Sequence, residues 1–238
     1  MMRTILRAGL KVASGLGLAR PEGASPGFTR QGLRHRAVAA ALAEHVPDRG
    51  VSVLDVGCGT GGLSSRLHEN GYALLAGCDW LPMEAVEHAP PGFAYTHVDL
   101  NADALCAYAD GSVDAIVCSD VLEHLENPAR MLREFARVLR PGGTAVVSLP
   151  NAFNAVERIC WLAKGNSTRY KREGSPDEFG HISILPSAVL ASLATRAGLE
   201  VIASRGGYFY LDGYMILPDR DLSPRFSYNI IWVLRRLG

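Results

Sequence analysis

The chain has no surplus of charge of either sign: Lys+Arg and Asp+Glu number 24 each, for a formal net charge of zero. That excludes a protein-wide electrostatic hold on nucleic acid or on an anionic membrane and leaves only local patches. Basic and aromatic residues interleave over short stretches only, so no nucleic-acid partner is expected. No apolar run approaches the roughly 18 residues that a membrane span needs. Cysteine is scarce as well. The five (Cys58, Cys78, Cys106, Cys118, Cys160) are odd in number and show no C-x-x-C spacing. They lie in or beside apolar runs, as reduced thiols of a cytoplasmic protein do. No internal repeat and no low-complexity tract occurs. Charged residues are 20% and hydrophobic residues 48% of 238, which excludes wholesale disorder and predicts a sizeable core.

Residues 1–28 stand apart. Wound as a helix, Arg3, Arg7, Lys11 and Ser14 form one polar stripe, and Arg7 with Lys11 interrupts what would be the apolar region of a signal peptide. Such a helix, spanning residues 3–18, either touches a membrane surface or packs on its own domain, and the second is the expectation. Pro21–Gly27 reads as a linker.

From residue 29 to 238 a single domain is predicted. Short apolar runs at Val51–Val56, Ala73–Cys78, Ala94–Val98, Val113–Cys118 and Thr144–Leu149 are nearly continuous, as in parallel strands covered on both faces. Two more follow at Leu199–Ser204 and Tyr228–Leu234. Helical spacing separates them. Asn127–Arg140 has a capping Asn127, Pro128 at the first helical position and a Pro141-Gly142-Gly143 stop. Pro186–Ala197 repeats the scheme, and Leu33, Val38, Ala41 and Leu42 mark a helix before the first strand. This alternation implies an α/β, Rossmann-like, doubly wound sheet. Between Pro150 and Ile182 the periodicity is lost. No helical pattern lies between Gly206 and Ser227, so the last strand is expected to run antiparallel.

The sharpest chemical signal is Val53-Leu-Asp55-Val-Gly57-Cys58-Gly59-Thr-Gly61-Gly62, which closes the first strand and opens a helix. Glycines let backbone approach a ligand, and the helix start offers unpaired N–H groups. Asp79 lies 22 residues after Gly57, at the end of the second strand, where a carboxylate can hold both ribose hydroxyls. Gly57, Gly59 and Gly62 alone also satisfy a dinucleotide fingerprint. Asp55 argues against it: a carboxylate there repels a pyrophosphate and suits a ligand with an amino group or sulfonium.

With Cys78-Asp79, Val98-Asp99-Leu100, Asp110-Gly-Ser-Val-Asp114, Ser119-Asp-Val-Leu-Glu-His124 and Leu139-Arg-Pro-Gly-Gly143, the chain resembles class I S-adenosylmethionine-dependent methyltransferases. The likeness runs from about residue 30 to 236. It implies a seven-stranded sheet with an antiparallel last strand and S-adenosyl-L-methionine as cofactor. By position, it puts Asp55, Gly57, Cys58, Gly59 and Ser119 at the methionine part and Asp79 on the ribose. Trp80 (or Met83) covers the adenine, and Asp99 and Leu100 border it.

Just past the fourth strand, Asp120, Glu123 and His124 share one face if the turn is helical, and His181 follows 57 residues after His124. Such a set can ligate a divalent ion. It is similar to the metal site of small-RNA 2′-O-methyltransferases and to the Glu-His stretch of ubiquinone-pathway O-methyltransferases, which have Glu in place of Asp120. The residues equally orient or deprotonate an acceptor hydroxyl. We assign Glu123, His124 and His181 to that catalytic role and no residue to a metal. Segments 151–182 and 206–227 then form the acceptor-binding cover. Lys164, Arg169, Lys171 and Arg172 suit an anionic small molecule as well as open solvent. The expected activity is methyl transfer to a small-molecule acceptor, at oxygen. The competing readings are a non-catalytic adenosylmethionine sensor or scaffold, a nicotinamide oxidoreductase, which Asp55 disfavours, and aminopropyl transfer.

Overall fold

Where the sequence alternates, so does the structure. The computed structural model describes residues 30–165, 180–207, 209–211, 214–216 and 223–238. Its first element is α1 (Arg30–His45), followed by β1 (Ser52–Val56), α2 (Gly62–Glu69), β2 (Leu74–Asp79) and β3 (Ala94–His97). Then come β4 (Val113–Ser119), α3 (Pro128–Val138), β5 (Leu139–Pro150), α4 (Ala155–Lys164), α5 (Ser187–Arg196) and β6 (Leu199–Gly206). A short hairpin of β7 (Phe209–Leu211) and β8 (Tyr214–Ile216) precedes β9 (Asn229–Arg236). The basic N-terminal stripe, Arg169, Lys171, Arg172 and Tyr208 lie outside the described residues.

Seven strands form one sheet in the order β3-β2-β1-β4-β5-β9-β6. β1 to β5 pair in parallel, and β9 runs antiparallel to both β5 and β6. The central strands β1, β4 and β5 are buried on both faces, which accounts for their nearly continuous apolar runs, whereas no residue of the edge strand β3 is buried. Alternate residues sort onto opposite faces. Val53, Ala115 and Val117 pack with Val38 and Leu42 of α1 and Leu63 and Leu67 of α2. Leu54, Val56, Ile116 and Cys118 pack with Leu132 and Phe135 of α3 and Leu190 of α5. α3 begins as its sequence predicts, with the Asn127 side chain accepting from the Arg130 N–H and Pro128 in the first turn.

One expectation needs correction. The stretch after β5 contains α4, where the sequence predicts lost periodicity. The Asn154 side chain accepts from the Glu157 N–H at 3.0 Å, and Gly165 at φ +69° ends the helix. Ala155, Ile159 and Leu162 recur at helical spacing, yet Ile159 is 66% and Leu162 90% exposed, so the face they form is not part of the core. The run Ile159–Ala163 holds no polar residue, which hides the helical period.

β1 and β4 are neighbours, yet the chain leaves them toward opposite sides of the sheet, β1 toward β2 and β4 toward β5. Their carboxyl ends thus flank a topological switch point, where open α/β sheets hold ligands.

Candidate active site

Leaving β1, the backbone turns at Gly57 (φ +72°), Gly59 (φ +52°) and Gly61 (φ +84°). At Gly57 conformation and space both demand glycine, because a Cβ would clash with Cγ2 of Val121. The turn is tied to β2. The N–H groups of Gly57 and Cys58 donate to the Cys78 carbonyl at 2.8 and 3.1 Å, and the Gly59 N–H donates to the Asp79 carboxylate at 2.8 Å.

A cavity of about 440 Å³ opens beside this turn. Its walls include every residue assigned above to the cofactor: Asp55, Gly57, Cys58, Gly59, Asp79, Trp80, Asp99, Leu100 and Ser119. Met83 is not among them. Trp80, 56% exposed, stands at one end with Asp79, Asp99 and Leu100, and its carbonyl is hydrogen-bonded by the His97 ring at 2.8 Å. The other end is formed by Asp55, Ser119, Asp120 and His124 from the sheet side, and by Gln31, Arg34 and His35 of α1.

That second end is electrostatically graded. Asp55 lies on the Val53 face of β1, beneath α2, and accepts a 2.6 Å hydrogen bond from the Ser64 hydroxyl. Burial pushes its pKa from 3.8 up to about 7. His35 is driven down to about 4, first by burial and then by the Arg34 charge, and so is neutral at pH 7. Arg34 reaches across to Asp120 with N···O at 2.7 Å.

The turn after β4 departs from expectation. Asp120 adopts φ +53°, and Leu122–His124 is a single 3-10 turn, not an α-helical one. Asp120 therefore does not share a face with Glu123 and His124. Its carboxylate accepts from Arg34 and, at 2.7 Å, from the Ser148 hydroxyl. Glu123, His124 and His181 do come together, with ligand-capable atoms all within 4.8 Å of one another. The rings of His124 and His181 meet edge to face at 4.9 Å, and His181 Nε2 lies 3.9 Å from Glu123 Oε1. The 181–183 stretch is clipped on by the Ile182 and Ser183 N–H groups, both donating to the Glu123 carbonyl. Of the three, His124 lines the cavity; Glu123 is buried behind it, and His181 does not reach the wall. Burial lowers the His124 pKa.

Comparison with known proteins decides the family. Residues 29–204 match a family model described as "Methyltransferase domain". The chain belongs to the class I S-adenosylmethionine-dependent methyltransferases. It is 29% identical over 168 residues to a ubiquinone biosynthesis O-methyltransferase of Cupriavidus pinatubonensis, covering 66% of this chain and 63% of that one. It is also 29% identical over 194 residues to one of Dinoroseobacter shibae, covering 76% and 73%. The first of these relatives is thus matched over less than two thirds of its length. In fold the chain is similar to an S-adenosylmethionine-dependent methyltransferase of Mesorhizobium loti, with a TM-score of 0.57, 20% identity and coverage of 86% and 100%.

The cavity of this methyltransferase suits its cofactor chemically. An aromatic face and two carboxylates at one end answer a nucleoside. An anion and a cation, Asp55 and Arg34, at the other answer a zwitterionic amino acid. The α1 contribution of Gln31, Arg34 and His35 escaped the sequence reading, because no motif marks it. The only trace is three polar residues set among the apolar positions of an otherwise core-packed helix.

Proposed function

We propose that this methyltransferase acts on a hydroxyl oxygen of a small molecule. The observation that carries the reading is the position of His124: on the cavity wall at the methionine end, neutral at pH 7 and backed by Glu123 and His181. When bound, the cofactor supplies an already activated methyl group, so the protein's tasks are alignment, exclusion of water and removal of the acceptor proton. Asp79 holds the ribose, Trp80 covers the base, and Asp55 and Arg34 take the ammonium and carboxylate of the amino-acid part. His124 takes the acceptor proton, with His181 and Glu123 fixing its ring. The names of the O-methyltransferase relatives support oxygen as the atom methylated. Among the described residues, α4 after β5 and the β7–β8 hairpin before β9 supply the acceptor cover.

A second reading rests on the donor set itself. Glu123, His124 and His181 offer one oxygen and two nitrogens, a combination that suits a transition-metal dication such as zinc, and the 3.9 Å separation of His181 from Glu123 is close to the ~3.3 Å between ligands on tetrahedral zinc. Asp120 does not fit that set. A metal held there would lower the pKa of an acceptor hydroxyl, and the three side chains would then ligate instead of taking the proton.

The test is a labelled-methyl assay against a panel of phenolic, carboxylic and amine acceptors. We expect turnover with hydroxyl acceptors, with His124→Gln lowering kcat by about 10²–10⁴-fold at unchanged affinity for S-adenosylhomocysteine. Transfer confined to amines, or an unaltered kcat, would remove the proton-abstraction role. Zinc found bound to the purified protein and lost in Glu123→Gln would select the second reading.

A further inference from the structure

The cavity sets one guanidinium, Arg34, among four aspartates, Asp55, Asp79, Asp99 and Asp120. Among its described lining residues Arg34 is the single arginine or lysine, and the guanidinium is already bonded to Asp120 at 2.7 Å. Asp120 does not depend on that bond for its place. Its N–H donates to the Ser148 carbonyl at 3.0 Å, and its other carboxylate oxygen accepts from the Ser148 hydroxyl at 2.7 Å. Ser148 in turn contacts the Ser119 hydroxyl at 3.1 Å, so β4 and β5 hold the carboxylate from behind. Arg34 comes instead from α1, across the cavity and 86 residues away in sequence.

We propose that cofactor binding exchanges the partner of Arg34, the cofactor carboxylate taking it from Asp120 and leaving Asp120 as a Ser148-anchored anion that faces the acceptor. The proposal rests on the reading of Arg34 as the carboxylate site. Two carboxylates near one guanidinium repel each other whether the cation is handed over or shared, so Asp120 opposes the cofactor it lies beside. The same residue, once released, attracts a hydroxyl or ammonium to the methionine end of the cavity, next to Ser119. Binding therefore follows an order: cofactor first, acceptor second. Asp120 is thus a positioning residue for the acceptor and a negative determinant of cofactor affinity.

The sign of one substitution carries the test. S-adenosylhomocysteine is the probe because its sulfur is uncharged, and 5′-methylthioadenosine, which lacks the amino-acid part, is the control. Calorimetric titration of Asp120→Asn, a residue type that tolerates positive φ, should show S-adenosylhomocysteine binding about three- to fivefold tighter than wild type, with methylthioadenosine unchanged. Arg34→Gln should weaken the first ligand about ten- to hundredfold and leave the second alone. In the Arg34→Gln background, Asp120→Asn should again tighten S-adenosylhomocysteine binding, since the carboxylate repulsion then has no cation between, and leave methylthioadenosine unchanged. Weaker S-adenosylhomocysteine binding in Asp120→Asn would overturn the exchange, since Asp120 would then be holding the ammonium or steadying Arg34. Asp120→Ala, checked for a native circular-dichroism spectrum, must give the same sign. Unaltered binding in Arg34→Gln would also overturn it. No binding to the wild-type chain would remove the cavity assignment itself, and the proposal with it.

Discussion

At the β1–β2 end of the cavity the contacts are donated by main-chain N–H groups of one turn: Gly57 and Cys58 to the Cys78 carbonyl, Gly59 to the Asp79 carboxylate. At the β4–β5 end they come from side chains far apart, as Arg34 with Asp120, Ser148 with Asp120, and His181 beside Glu123. The first kind of wall admits few alternatives, because a turn with positive φ and an intruding valine accepts only glycine. The second kind can be rebuilt residue by residue without disturbing the sheet. Cofactor recognition can thus stay fixed while acceptor choice drifts.

The contrast is sharpest at Gly57. Gly57→Ala should cost about 2–4 kcal/mol of stability, from left-handed strain plus the clash with Val121, and should abolish S-adenosylhomocysteine binding; urea denaturation and calorimetry check both. Normal binding in that variant would break the distinction between the two walls.

Asp55 gives the next effect, through pH. Its folded pKa is raised, so between pH 3.8 and about 7 the folded chain holds a proton that the unfolded chain has lost. The stability this contributes is complete below about pH 4 and disappears as pH rises through about 7. An ammonium needs the ionised carboxylate, so affinity for S-adenosylhomocysteine should climb about fivefold from pH 6 to 7, reach about tenfold by pH 8 and then level off. Titration across that range, with Asp55→Asn flattening the profile, is the measurement.

Smaller still is the loss of the α4 cap. Asn154→Ala should destabilise by about 1 kcal/mol on thermal melting and raise the acceptor KM without changing cofactor affinity. The Arg205–Glu44 pair touches neither wall, and Arg205→Ala should move stability by no more than about 0.5 kcal/mol and activity not at all.

The same division explains what the sequence disclosed. Strands buried on both faces announce themselves as apolar runs, and Asn127-Pro128 or Gly198 punctuates helices whose apolar stripe is clean. The glycine turn and Asp79 are legible because glycines at fixed spacing after one strand and an acid at the end of the next form a recurring motif. Arg34 was not, since its importance lies in a residue on another element. Asp120 parts from Glu123 and His124 because the shared face requires an α-helical turn, and a left-handed residue followed by one 3-10 turn stands there instead. α4 is hidden because Ile159–Ala163 is apolar without a break, a run that shows no helical period.

β9 follows β6 in the chain yet sits between β5 and β6 in the sheet. While the protein is being synthesised, β3-β2-β1-β4-β5 can form a cofactor-side half with local crossovers, whereas β6 has no strand to join until β9 has left the ribosome. For that interval β5 presents an unpaired edge, a template for pairing with another chain. The long-range closure by β9 is also the slow kind of contact to make. Crowded or fast translation should therefore lose this protein at the β6–β9 edge first, with the β1–β5 half already folded.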